Sequence, residues 1–234
     1  MVTKMIVLAM ESSAKPASAA VTRGEALLGQ YFQNSGLTHS RTLLSMTESL
    51  LKNLNLSVCD IDLVAVASGP GSFTGVRIGV AAAKGFAWGA GLPVCGVSTL
   101  EAMAYSYQKE ETIICPVMDA RRGQVYNALF ELSMGKLQRV CEDRAISLEE
   151  LSSELISIEK PVTLIGDGAD LAVEYLKDTN VNIDIAPTLL RYQSALGVAL
   201  AASFSPPVDA IELEPFYLRP SQAERELKIN TGDK

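Results

Sequence analysis

The residues most able to do chemistry gather around one glycine-rich stretch, Gly69-Pro70-Gly71-Ser72-Phe73-Thr74-Gly75-Val76-Arg77-Ile78-Gly79. It follows the apolar run Leu63-Val64-Ala65-Val66-Ala67, which reads as a buried parallel strand, and it leads into a small-residue helix. Such a strand-turn-helix joint points free backbone N–H groups at whatever anion or carbonyl lies beyond the helix N-terminus. Ser72 or Thr74 can cap the helix, and Gly71 can take the positive φ of a tight turn. A phosphate loop running from Gly69 to Gly75 is one chemistry this permits. A Walker A loop is excluded, because Val76 and not Lys follows Gly75.

Other candidates are weaker. Glu11 and Ser12 lie in Met10-Glu11-Ser12-Ser13-Ala14-Lys15-Pro16, where a nucleotide-binding α/β half would place a metal-holding carboxylate and phosphate-binding amides. Pro16 removes one N–H and no glycine comes before Gly24, so a structural turn fits this stretch better. Arg121 and Arg122 occupy a polar turn beside Asp119, where they are either solvated or in contact with phosphate or a partner carboxylate. His39 is the sole histidine, and Leu43 stands where the second ligand of an H-x-x-x-H pair would be. One imidazole makes no transition-metal site and leaves Cys59, Cys95, Cys115 and Cys141 without a base; they read as reduced thiols. Serine hydrolysis is disfavoured, since no G-x-S-x-G elbow is present.

Several elements must position these groups. Met5 to Met10 reads as a strand, Ala17–Val21 and Glu25–Phe32 as a hairpin turned at Arg23-Gly24, and Thr38 to Leu54 as an amphipathic helix of about four turns. The Leu63 strand, the glycine joint, a helix to about Gly89 and a strand at Val94–Val97 follow, giving β-β-β-α-β-α. Ser98-Thr99-Leu100-Glu101 is a capping-box pattern. Beyond it come strands at 112–118 and 124–130, a helix at 148–156, a strand at 162–165, and helices ending near Lys177 and Ser203. The repeated order predicts two related α/β halves, 1–97 and 98–205, with a tail at 206–234 whose charged end reads as disordered.

With 234 residues, a net charge of −7 and a pI near 4.9, the whole molecule is not a nonspecific phosphate-backbone binder, though a local basic patch is allowed. No apolar run approaches about 18 uncharged residues, so a soluble cytoplasmic protein without membrane contact is expected. Gly75, Gly79 and Ala83 recur every four residues on one helix face flanked by Ala82. That stripe serves equally as packing on the helix's own sheet or as a contact with another molecule. Arg77, in the first helical turn, opposes the helix dipole, which favours a specific anionic or carbonyl partner.

The glycine stretch, Gly96-Val97-Ser98-Thr99-Leu100-Glu101-Ala102, Asp119-Ala120-Arg121-Arg122-Gly123-Gln124-Val125-Tyr126 and the tail's Pro215-Phe216-Tyr217-Leu218-Arg219 strongly resemble the TsaB family of bacterial tRNA threonylcarbamoyladenosine biosynthesis proteins. Leu8-Ala9-Met10-Glu11-Ser12-Ser13 resembles that family's first strand, with Glu11 where Asp is usual. The resemblance implies an α/β, actin-like fold of two β-β-β-α-β-α subdomains, without catalytic residues, metal or cofactor of its own. It implies partnership with the catalytic paralogue TsaD and the ATPase TsaE. Together these transfer threonylcarbamoyl from its adenylate to N6 of the adenosine 3′ of the anticodon, in tRNAs reading codons that begin with A.

TsaD carries an H-x-x-x-H metal site at the equivalent helix, which His39 and Leu43 do not reproduce. The family dimerises through its first two helices, so the chain is expected to be a homodimer alone, to meet TsaD through the same face, and to meet tRNA only through the complex. The face so implied comprises His39, Leu43, Met46, Leu50, Thr74, Gly75, Arg77, Ile78, Gly79, Ala82 and Ala83. Glu11, Ser12, Gly69, Gly71, Arg121 and Arg122 are the candidates for nucleotide or RNA contact. The rival reading is an actin-fold ATP-binding phosphoryl or acyl transferase acting alone, with Glu11 holding metal and the Gly69 to Gly75 turn holding phosphate.

Overall fold

The structure, a computed structural model, describes residues 4–107 and 109–219. The first half runs β1 (Ile6–Glu11), β2 (Ala17–Arg23), β3 (Ala26–Gln33), α1 (His39–Asn53), β4 (Leu63–Gly69), α2 (Phe73–Ala90), β5 (Val94–Ser98). After α3 (Thr99–Ser106), the second half runs β6 (Ile113–Arg121), β7 (Gln124–Ser133), β8 (Lys136–Ser147), α4 (Leu148–Ile156), β9 (Val162–Ile165), α5 (Ala169–Leu176), β10 (Ile183–Ile185). A short α6 (Thr188–Arg191) and α7 (Ala195–Ala202) close the set. The two sheets are ordered β3-β2-β1-β4-β5 and β8-β7-β6-β9-β10, with the same antiparallel and parallel pairings. Each half is thus the β-β-β-α-β-α unit of the expected actin-like fold.

Strand alternation builds the layers. Leu8, Met10, Val64 and Val66 face α1 and α2, while Val7, Ala9, Ala65 and Ala67 face α7. On the second sheet Ile113, Cys115 and Val117 face α4 and α5, and Ile114 and Met118 face α3. Helices α3 and α7 therefore lie between the sheets, and they approach so closely that a Cβ on Gly197 would stand 2.0 Å from the Ala102 carbonyl. Helix α7 follows the second half in sequence yet covers the first sheet. Among the described residues no helix is long and apolar enough to cross a membrane.

Helix starts follow local chemistry. Ser72, not Thr74, caps α2 by accepting from Gly75 N. Ser147 and Glu150 form a full capping box at α4. At α3 the box is half made: Ser98 Oγ accepts from Glu101 N, but the Glu101 carboxylate turns to Arg139, 3.0 Å away.

Up to residue 219 the tail is held against the body of the fold. Val208 bridges Val94 in antiparallel fashion, Lys84 Nζ donates to the Ile211 and Leu213 carbonyls at 2.9 Å each, and Leu213 is buried. The end expected to be disordered lies at 220–234, outside the described residues.

Candidate functional site

A cleft of about 560 Å³ opens between the halves, where β1, β4 and β6 end. One wall is the loop after β1. Ser12 Oγ donates to the Gly75 carbonyl at 2.9 Å, and Ser72 N–H donates to the Ser13 carbonyl at 2.6 Å. His39 Nε2–H donates to the Ala14 carbonyl at 2.8 Å. The imidazole thus braces the loop from α1, and Leu43 one turn on is core.

The glycine joint is filled from within the chain. A Cβ on Gly71 would stand 2.3 Å from the Ser13 carbonyl oxygen, and one on Gly75 would stand 2.2 Å from that of Ser12. On Gly69, at φ +125°, it would stand 2.1 Å from the Phe216 carbonyl oxygen. These glycines admit backbone, which is why no larger residue fits. Gly79 belongs to the same contact, since its Cβ would lie 2.6 Å from Ser12 Oγ.

The expected partner face is therefore turned largely inward. Leu43, Met46, Leu50, Gly75, Gly79 and Ala83 are buried within the chain, His39, Ile78 and Ala82 are half-buried, and Thr74 and Arg77 are exposed. The stripe at 75, 79 and 83 packs on the chain's own loop and sheet. The outward faces of the same helices carry Ala81, Gly85, Trp88 at 79 % exposure and Leu44 at 51 %. Arg77, for which an anion or a carbonyl is expected, meets a neutral hydroxyl and a ring among the described residues: its Nε–H donates to the Tyr217 hydroxyl at 2.8 Å and its guanidinium lies 3.8 Å from the Phe73 ring centroid. Phe73 and Tyr217 stack at 4.8 Å.

Glu11 ends β1 fully buried, with Oε1 accepting from Ser13 N at 2.5 Å and Oε2 without a partner. Burial outweighs the Ser13 hydrogen bonds and lifts its pKa to about 7. Asp167 opens onto the cleft yet lies deep among protein atoms, so desolvation raises its pKa too, against the Gln193 hydrogen bond of 2.7 Å. The cleft lining includes two carboxylates, Asp119 and Asp167. It also includes Lys15, Arg121 and Arg219, with Arg122 next in the turn. Gly71 lines the cleft, whereas Glu11, Ser12 and Gly69 lie behind its surface.

Arg219, whose Nη1–H donates to the Ala120 carbonyl at 3.2 Å, ties the tail across to the second half. No local signal marked that contact or the Phe73–Tyr217 stack, because the partners lie far apart in sequence.

The family model described as TsaD: tRNA N6-adenosine threonylcarbamoyltransferase matches residues 33–206. The chain is 31% identical to the tRNA threonylcarbamoyladenosine biosynthesis protein TsaB of Bacillus subtilis, over 94% of this chain and 96% of that one. It is 29% identical to the protein of the same name from Escherichia coli, over 95% and 98%. Among solved structures it is similar to a Pseudomonas aeruginosa protein described as having similarity to peptidase YEAZ, with a TM-score of 0.75, 25% identity, and coverage of 92% of this chain and 100% of that chain.

Proposed function

We propose that this chain, which belongs to the TsaB family of tRNA threonylcarbamoyladenosine biosynthesis proteins, serves that pathway as the noncatalytic partner of TsaD. TsaD, with TsaE, then transfers threonylcarbamoyl from its adenylate to N6 of the adenosine 3′ of the anticodon. The observation that carries this reading is at α1. The chain shares the TsaD family model, yet where TsaD is expected to hold metal, His39 is hydrogen-bonded to Ala14 and Leu43 is sealed in the core. The glycine joint supports the same reading over the solitary phosphoryl or acyl transferase, because its Ser72 and Gly75 N–H groups already donate to the Ser13 carbonyl and Ser72 Oγ.

The partner face in this reading is the outward side of α1 and α2, used for self-association when TsaD is absent. The test is threonylcarbamoyl transfer to tRNA, reconstituted from TsaD, TsaE and preformed adenylate with and without this chain. Transfer that depends on the chain, together with co-purification of chain and TsaD, is the expected result. Transfer of equal rate without it would overturn the role. Tight stoichiometric binding of Mg-ATP to the isolated chain would favour the solitary enzyme.

A further inference from the structure

We infer that the mouth of the cleft is a binding surface for single-stranded RNA, so that within the assembled complex this chain itself touches the tRNA. The inference rests on the tRNA-modifying role proposed above and adds a contact to it. In a chain of net charge −7, Lys15, Arg121 and Arg219 converge on one cleft and Arg122 stands beside them. Among the described residues these four make no ion pair with a carboxylate, whereas Arg139, Arg144 and Arg191 all do. Cations gathered on one face of an acidic protein are the footprint of a local polyanion site.

The turn that carries two of these cations is held in an unfavourable shape. Arg121, Arg122 and Gly123 have φ of 67°, 58° and 71°, so two long side chains sit in the left-handed region that favours glycine. Asp119 Oδ1 fixes the turn by accepting from Arg121 N at 2.7 Å. Both guanidinium-bearing residues are exposed at its tip.

Beside the cations stands an aromatic platform. Tyr217 is 37 % exposed although locked against Phe73 and Arg77, and Phe216 next to it is 47 % exposed. Cations that follow a phosphate backbone, next to rigid rings on which bases stack, are what single-stranded nucleic acid requires.

The arrangement favours a strand over a nucleotide held in the cleft. The N–H groups of Ser72 and Gly75 in the glycine joint already donate to the Ser13 carbonyl and Ser72 Oγ, and Asp119 and Asp167 line the same cleft. A triphosphate confined within the cleft would lie among those carboxylates. An extended strand can set its phosphates against the exposed Lys15, Arg121 and Arg122, while Asp119 and Asp167 accept from the amino groups of bases.

The test is fluorescence anisotropy of labelled tRNA titrated with the assembled complex of this chain and TsaD, at several salt concentrations. The Arg121→Ala/Arg122→Ala variant is expected to bind about tenfold more weakly, with the slope of log K against log salt shallower by about one. Tyr217→Leu is expected to weaken binding about fivefold with the salt slope kept, since stacking and not charge is lost. Arg23→Ala, an exposed cation at the end of β2, is expected to change neither.

Thermal melting and co-purification with TsaD establish that each variant folds and pairs. Unchanged affinity and slope in the double variant would overturn the inference. So would loss of ATP or ADP binding in place of tRNA binding. A chain found dispensable for transfer, but whose double variant lowers tRNA affinity, would sink the partner role and leave the RNA contact standing.

Discussion

The Phe216 carbonyl oxygen occupies the space a side chain on Gly69 would need, 2.1 Å from where its Cβ would stand, while Phe216 N–H donates to the Ser68 carbonyl at 2.7 Å. The end of β4 and the tail are thereby joined backbone to backbone. The glycine that most invites a phosphate reading is one whose hydrogen has a structural use. It lets the tail run flush across the strand end to Tyr217 and then Arg219, which reaches the other half.

Gly69→Ala is accordingly expected to destabilise the protein by about 3 kcal/mol, combining a φ of +125° with a clash against backbone. Its tail should become sensitive to protease after residue 206, as the strap lifts. Denaturant unfolding and limited proteolysis measure both, and a change under about 0.5 kcal/mol, the range of neutral surface substitutions, would refute the tail contact.

Two glycines of α2 provide a contrast. Gly79→Leu drives a side chain into Ser12 and Val66 and is expected to cost at least about 3 kcal/mol or prevent folding. A Cβ on Gly85 meets nothing within 4 Å, so Gly85→Leu should fold with unchanged or slightly raised stability. If the outward face of α2 meets TsaD, only the Gly85 variant separates the two effects: stable alone, yet failing to co-purify. Retained pairing at wild-type affinity would remove this face from the interface.

Which stripe packs inside the chain is a matter of range. Positions 75, 79 and 83 and positions 81, 85 and 89 are both runs of small residues four apart, and helix periodicity cannot rank them. What decides is the Ser12 carbonyl, brought in from a loop some sixty residues earlier. Most strands and helices were legible because their alternation or amphipathicity is local. Strand β8 was not, since its tight turn uses Met134 at φ 52° before Gly135 at φ 71°, where Asn or Asp would normally announce a hairpin. The three-residue β10 and four-residue α6 carry too few positions to show a period. In the site, the glycines and paired arginines drew notice by composition, but the tail that shapes the cleft mouth could be seen only once folded.

Arg139 is the next test. It joins the Glu101 carboxylate at 3.0 Å and Asp143 at 2.5 Å, and Asp143 Oδ2 also accepts from Ser98 Oγ at 2.5 Å. The cluster links the start of α3 to β8, and the Asp143 side chain is only 9% exposed. Arg139→Ala leaves a nearly buried carboxylate without its cation and is expected to cost about 2–3 kcal/mol, below the full buried-pair penalty because Arg139 is partly solvated. Adding Asp143→Asn should recover part of that loss. Absence of recovery in the double variant would mean that packing, not charge, explains the single one.

Glu11 predicts an inverted pH dependence. Its folded pKa of about 7 lies above the unfolded carboxyl value, so between those two values the folded state binds the extra proton. Stability should therefore fall as pH rises from about 4.5 to 7, and this contribution should level off above that. A displacement of this size amounts to about 3 kcal/mol across the window, taken as an order of magnitude. Asp167, raised in the same sense, adds to the slope. Glu11→Gln keeps an oxygen to accept from Ser13 N but carries no charge, so it should be more stable than wild type at pH 8 and equal to it near pH 5. Urea unfolding at both pH values reads this directly, and a Gln variant less stable at pH 8 would mean that the ionised carboxylate has a partner at Oε2 that holds it in place.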